Sequence, residues 1–245
     1  MLIARNGLAR QYRNSFLGLL WTLLQPLTMA SVYAFIMPMI MRTSTTNYLL
    51  YIFVSLPLWA FFSGTLTNVP ASILANAETL KRCMISSTVF PIADVLRYTY
   101  TFFTSYIVMY LMALCMVRPF AGSWIVLLVP IYFIPVLIII GSLSVAIAFL
   151  APYLRDLAEL ILVGMTVLFW LTPVVYPISV LPLHAQALMQ WNPFFIMMRP
   201  IQMLAYERVL PDADIMLRLL GLTLITVVIC SLIFRHCRRN YVYYL

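Results

Sequence analysis

The chain alternates between long apolar runs and short polar breaks. A helix that crosses the hydrocarbon core of a membrane needs about 20 mostly apolar residues. Runs of that kind fall at roughly 16–40, 49–69, 90–117, 124–151, 158–176 and 215–234. They predict six transmembrane helices. Between them stand RTSTTN, ASILANAETLKRCMISST, RPFAGS and PYLRD, and the chain ends in RHCRRNYVYYL. The pattern predicts an all-α integral membrane protein, a single transmembrane domain over residues 1–245. No soluble linker, low-complexity tract or internal repeat interrupts it. The first run exceeds the roughly 7–15-residue apolar core of a signal peptide, so it reads as a retained first span.

Two polar segments carry helical spacing of their own. Near the start, Ala4, Leu8 and Tyr12 align opposite Asn6, Arg10 and Arg13, although Ile3 and Arg5 break the pattern. This is a short interfacial helix or a basic anchor flanking the first span. After the second run, Ile73, Ala77, Leu80 and Met84 recur in a helical stripe, and Glu78 faces Lys81 and Arg82 on the other side. An amphipathic helix is expected there. It either lies on the membrane surface or docks on another protein.

The stretch FWLTPVVYPISVLP, 169–182, breaks a run that is otherwise fit to span. Pro173, Pro177 and Pro182 are followed by Pro193, Pro200 and Pro211. Proline removes a backbone donor and clashes with the preceding helical turn. Asn192 before Pro193 is a good N-cap followed by the favoured first helical position. The segment over about 177–200 therefore reads as short re-entrant helices, with Tyr176 near the rim of a protein-lined path. The other reading is an outer loop lying on the headgroups.

Composition supports the membrane class. The chain is 64% hydrophobic and 9% charged, with mean hydropathy +1.00, where a soluble domain is about a quarter charged. The net charge of +8 contains no dense basic block and a single lysine, Lys81. It reads as topology signalling and contact with anionic lipid, not as nucleic-acid binding. With both termini in the cytoplasm, the inner flanks hold Arg5, Arg10, Arg13, Lys81, Arg82, Arg155, Arg235, Arg238 and Arg239. The outer flanks hold Arg42, Arg118, Arg199, Arg208 and Arg218, a count of nine against five. The positive-inside rule selects that orientation.

Catalytic chemistry is poorly represented. Lys81 has no glycine near it, so no phosphate-binding Gly-x-x-x-x-Gly-Lys-Ser/Thr loop is possible in this chain. Cys83, Cys115, Cys230 and Cys237 form no metal-like cluster with His184 and His236. Of the seven carboxylates, none falls clearly at the middle of a run. Asp94 and Arg97 are one turn apart and are expected to pair, while Asp156 and Glu159 suit the start of a helix. No catalytic residue, metal or cofactor of its own is expected.

Aromatic side chains are abundant: 15 Phe, 15 Tyr and 5 Trp. Trp21, Tyr33, Phe35, Trp59, Phe61, Phe62, Phe169, Trp170 and Tyr176 fall in the first, second and fifth runs. Such faces suit a channel for sugar rings, and they suit lipid contact equally well.

Several stretches together resemble one family: YRNSFLGLLWTLLQPL (12–27), TLKRCMISSTVFPIADVL, YLRDLAEL (153–160), LTPVVYPISVLP and WNPF (191–194). They are similar to the permeases of type 2 ABC exporters for polysaccharides, the family that exports O-antigen, teichoic acid and capsule. The resemblance covers essentially the whole chain. It implies six spans, a homodimer, and two copies of a separate cytoplasmic ABC ATPase that holds the ATP and Mg. It implies export of a lipid-linked polysaccharide across a bacterial inner membrane. By the same resemblance the loop helix around Glu78, Lys81 and Arg82 is the coupling helix. Arg5, Arg10 and Arg13 belong to an interface helix, and Arg155 and Asp156 match the family's Arg-Asp position near the ATPase. Family members usually carry more residues before the Tyr-Arg pair, so either a short interface helix or a truncated start is expected. The residues alone leave other classes open: a secondary transporter or lipid-linked glycan scramblase that works without an ATPase, a membrane-embedded transferase, or an assembly subunit.

Overall fold

The computed structural model describes residues 21–41, 45–82, 86–116, 124–154 and 156–237, and all regular structure among them is helical. In order these are α1 (Trp21–Met41), α2 (Thr45–Asn68), a 3-10 turn (Val69–Ala71), α3 (Ser72–Ala75), α4 (Ala77–Arg82) and α5 (Val89–Met116). A second 3-10 turn (Trp124–Leu128) leads into α6 (Val129–Leu150), then α7 (Leu157–Leu171). After a break come a 3-10 turn (Ile178–Val180), α8 (Leu183–Met189), α9 (Pro193–Gln202), a π-helical turn (Met203–Glu207) and α10 (Ala213–Cys237).

Among the described residues, three helices are long and apolar enough to cross a membrane: Tyr48–Ala75, Trp124–Leu150 and Ala213–Cys237. Leu27–Met41 and α7 are shorter apolar helices. α5 has 28 residues, with Asp94 and Arg97 in its first third. α7 stops at Leu171, short of the expected limit of 176. Pro173 explains the early stop, because a proline disfavours the helical conformation of the residue before it. Thr172 is accordingly extended, with φ −113° and ψ 138°.

Several threonine hydroxyls inside the helices are satisfied locally. Thr28, Thr65, Thr99, Thr104, Thr166 and Thr223 each donate to the carbonyl four residues earlier. In hydrocarbon no water would serve them, so this back-bonding is what lets polar residues ride in apolar helices.

α2 is the centre of the bundle. Of the most apolar stretch of Tyr48–Ala75, 78% is buried by protein, against 11% in Ala213–Cys237. α2 touches α1, α5, α6, α7 and α9. Phe61 meets Phe133 at 5.0 Å, and Phe102 stacks on Phe133 at 4.3 Å with planes 6° apart. Gly64 lets α5 approach: a Cβ there would lie 2.7 Å from Tyr98 Cε1. Asp94 and Arg97 pair at 3.3 Å, as their spacing predicts, and the Arg97 guanidinium lies 4.9 Å from the Tyr98 ring centre. α10 packs mainly on α6 and α9. Its far face presents Leu217, Leu220, Leu224 and Val228 outward.

Candidate functional site

The break after α7 is covered by protein. Thr172, Val174 and Val175 are buried. Their backbone has left the helix, so its carbonyls need new donors, and each one left without a partner at membrane depth would cost several kcal/mol (about 2–7). Those donors come from distant elements. Tyr51 of α2 offers one hydroxyl proton, shared between the carbonyls of Pro173 and Tyr176 (2.8 Å to the latter). Tyr48 donates to Val175 O at 2.5 Å. The Gln202 amide, at the end of α9, donates to Pro173 O at 3.3 Å, to Ser55 Oγ at 2.9 Å and to the Tyr51 oxygen at 3.2 Å. Tyr176 turns back to donate to Trp170 O at 2.7 Å.

Asn192 closes the other side of the break. Its oxygen accepts from the Phe194 N–H (2.9 Å) and Phe195 N–H (3.4 Å), capping α9 with Pro193 at the first position. Its amide donates to Leu171 O and Thr172 Oγ1, both at 3.1 Å. One side chain thus starts α9 and finishes α7. In the last turn of α9, Arg199 forms a bidentate pair with Glu207 across the π turn. That turn ends at Arg208, which has a positive φ of 61°. It sets Tyr206 edge-on against Tyr51, at 5.3 Å.

Beside this break runs an aromatic seam. Trp59 meets Phe169 and Phe194, each at 5.6 Å, and Phe62 at 6.2 Å. Tyr33 meets Phe169 at 6.2 Å, and Phe169 meets Trp170 at 5.2 Å. Eight of the nine aromatic residues singled out in the sequence divide by exposure. Trp59, Phe61 and Phe62 are buried, Tyr33, Phe169 and Tyr176 are half-buried, and Trp170 is exposed. Phe35, on α1, is also exposed. The Trp21 side chain lies outside the described residues. Tyr48, Tyr51, Phe194 and Gln202 were not singled out from the sequence. A signal existed for the α2 group: Tyr48, Tyr51 and Ser55 are three and four residues apart, a polar stripe on one face of an apolar helix.

Beyond the far end of α2, α3 builds a second corner. Ile73 lies 22 residues beyond Tyr51, about 33 Å of helical rise. It is fully buried against Phe149 and Cys237, with Leu80 and Phe234 packed around them. Phe149 and Phe234 meet edge-to-face at 4.9 Å, and Tyr153 donates to Cys237 O at 3.1 Å. The apolar stripe thus forms two short helices, α3 and α4, where one was expected. Asn76 separates them, with φ −113° and its amide donating to Ser72 O. Glu78 and Arg82 pair at 3.2 Å with side chains 78% and 80% exposed. Lys81 lies on the same exposed turn. Asp156 is exposed at the start of α7, and its side chain makes no cap bond. Arg5, Arg10, Arg13, Arg155 and Met84 lie outside the described residues. Among the described residues, no group of three or more His, Cys, Asp and Glu gathers to hold a metal ion.

The described residues are helical in all their regular structure, and three of their helices are long and apolar enough to cross a membrane. The chain belongs to the ABC-2 type transporter family, whose pattern matches residues 1–206. It is similar to an O-antigen export system permease protein RfbA of Myxococcus xanthus, 29% identical over 241 residues, 98% of this chain and 92% of that protein. It is also similar to the protein of the same name from Klebsiella pneumoniae, 27% identical over 195 residues, 79% of this chain and 74% of the relative.

Proposed function

We propose that this chain is the permease subunit of an ATP-driven exporter of lipid-linked, O-antigen-like polysaccharide across the bacterial inner membrane. The observation that carries the reading is similarity along 98% of the chain to a permease named for O-antigen export. In this reading the permease works as a homodimer with two copies of a separate ABC ATPase, which holds ATP and Mg. It has six spans and cytoplasmic termini, and the segment over about 177–200 re-enters from the outer face. The turn carrying Glu78, Lys81 and Arg82, with Arg155 and Asp156, receives the motion of the ATPase. Its anchoring through Ile73 to the ends of α6 and α10 suits it to pass a push into the bundle. Arg5, Arg10 and Arg13 form the interface helix. The glycan passes along the aromatic surface of the first, second and fifth spans. Phe35 and Trp170 are the most exposed of its described members, and Tyr176 lies at the rim.

Deleting the gene in its host tests the reading. Polysaccharide is expected to accumulate inside the cell and to reach the surface again on complementation. Surface polysaccharide at the wild-type level in the deletion strain would refute it. The coupling turn is tested with Lys81→Glu/Arg82→Glu. Both side chains are exposed, so thermal stability should hold while ATPase stimulation in the complex falls. Unchanged ATPase activity and assembly would remove the turn from the coupling path. Transport in proteoliposomes without any ATPase would favour a scramblase or secondary transporter.

A further inference from the structure

A cleft of about 310 Å³ opens between the start of α10 and the two short helices before it. α8 brings Gln186 and Gln190 to it, and α9 brings Arg199. Asp212, Asp214 and Arg218 come from the beginning of α10 and the residue before it. The size is at the small end of the roughly 300–1,000 Å³ of ligand sites. The export path proposed above gives none of these side chains a role.

The charges are largely spent on one another. Arg218 pairs with Asp214 at 2.8 Å and donates to Gln190 Oε1 at 3.3 Å. Arg199 is held by Glu207. The arginines are therefore posts that fix a carboxylate and an amide, not vacant anion sites. What stays open is hydrogen-bonding capacity in both directions. The Gln186 amide donates to Leu181 O at 2.8 Å, which leaves its oxygen as an acceptor. The Gln190 amide N–H groups and the Asp212 carboxylate also have no partner among the described residues. An anion would meet like charge at Asp212 and Asp214, and a cation would meet it at Arg199 and Arg218. A hydroxyl suits such a ring better, because it donates and accepts at once. Ile178, Phe195 and Ile215 add carbon surface beside the polar groups, on which a C–H face can pack. Hydroxyls around the edge and C–H groups on the faces describe a pyranose sugar.

We propose that this cleft binds a neutral hexopyranose segment of the exported polysaccharide, on the side of the membrane where it emerges. The source of the sugar and the side of the membrane rest on the export reading; the preference for a neutral polyhydroxyl ring rests on the cleft itself. Asp212 and the Gln186 oxygen accept from sugar hydroxyls, the Gln190 amide donates to one, and Phe195 and Ile215 carry the ring. Because Arg218 holds Gln190 and Asp214 together, these groups are set in place before the sugar arrives.

Saturation-transfer NMR of the purified full chain tests this. The probe is the host's surface polysaccharide, freed of its lipid and cut to oligosaccharides, with trigalacturonate and triglucosamine as anionic and cationic controls. The host oligosaccharides should bind about fivefold better than either control, the size expected of like charges meeting at a partly exposed site. Asp212→Ala should weaken their binding about tenfold, as for one hydrogen bond to a charged group. The Asp212 side chain is exposed, so the unfolding temperature should change little. Ile215→Trp, or Gln186→Ala if that variant folds poorly, should weaken binding as well, by filling the cleft or by removing an acceptor. Tighter binding of either charged control, or affinity unmoved by Asp212→Ala, would overturn the proposal. So would no binding of the host oligosaccharides. The export reading is decided separately by the gene deletion: wild-type surface polysaccharide there would refute export and leave sugar binding measurable, while failure of binding here leaves export untouched.

Discussion

Removing the Tyr51 hydroxyl takes away a donor and leaves the ring in place. Tyr51 is 3% exposed and Gln202 2%, so water cannot replace what is lost. In Tyr51→Phe, Pro173 O keeps its bond from Gln202, while Tyr176 O loses its side-chain donor. Tyr176 O is part-buried, so losing its donor costs about 1 kcal/mol, the low end of the roughly 1–3 kcal/mol for a fully buried group. In Gln202→Leu the reverse holds: Tyr51 still serves the turn, and Ser55 Oγ loses the amide. Each single variant thus leaves Pro173 O with one donor. The double variant leaves it with none, so the two losses should exceed their sum by roughly 1 kcal/mol. For a chain of this size 1 kcal/mol corresponds to about 2–4 °C in Tm. Thermal unfolding in one detergent, at one scan rate, followed by tryptophan fluorescence, reads the effect. Thr28→Ala, which removes an exposed hydroxyl bonded only within its own helix, is the control and should shift Tm little. A Tyr51→Phe protein within 1 °C (about the resolution of the assay) of the wild type would refute the reasoning. So would strict additivity in the double variant.

Gly64→Ala places a Cβ 2.7 Å from the Tyr98 ring and should destabilise the α2–α5 contact by about 1–3 kcal/mol, read as a lower Tm. Gly164→Ala, with nothing within 4 Å of the new Cβ, should leave Tm unchanged or raise it, since alanine favours helix by up to about 1 kcal/mol. Asn192→Ala loses the α9 cap and the donor to Leu171 O, and should lower Tm by more than the roughly 0.5–2 kcal/mol of a cap alone. In that variant, backbone hydrogen exchange should speed up first at Phe194 and Phe195, whose amides lose their acceptor.

Several of these features could be read from residue order. Two of the apolar runs, 90–117 and 215–234, lie in the helices Val89–Met116 and Ala213–Cys237. Asn192 and Pro193 form the cap their order predicts. The stop of α7 at Leu171 was also available, since Pro173 constrains the residue before it. Local spacing was misleading at Asn76, where a continuous apolar stripe hid a turn stabilised by the Asn76 amide itself. The Tyr51–Gln202 contact joins residues 151 apart in sequence. Nothing in local periodicity reports a pairing across so much intervening helical chain. The aromatic count had a similar limit: it found Trp59 and Trp170 alike, and only the packing separates a buried ring from an exposed one.

The broken turn at 172–176 belongs mechanically to helices that are far from it in the chain. Its carbonyls hang on Tyr48 and Tyr51 of α2 and on Gln202 of α9, and its link to α7 runs through the backbone and the Asn192 amide. α2, the turn and the end of α9 are therefore tied together by side-chain hydrogen bonds. A rotation of α2 about its axis would carry the turn with it, and Leu171–Thr172 would act as the hinge. Ile73, in α3, is joined to α2 through the 3-10 turn Val69–Ala71, so a torque applied at the Ile73 corner would reach Tyr51 along helical backbone.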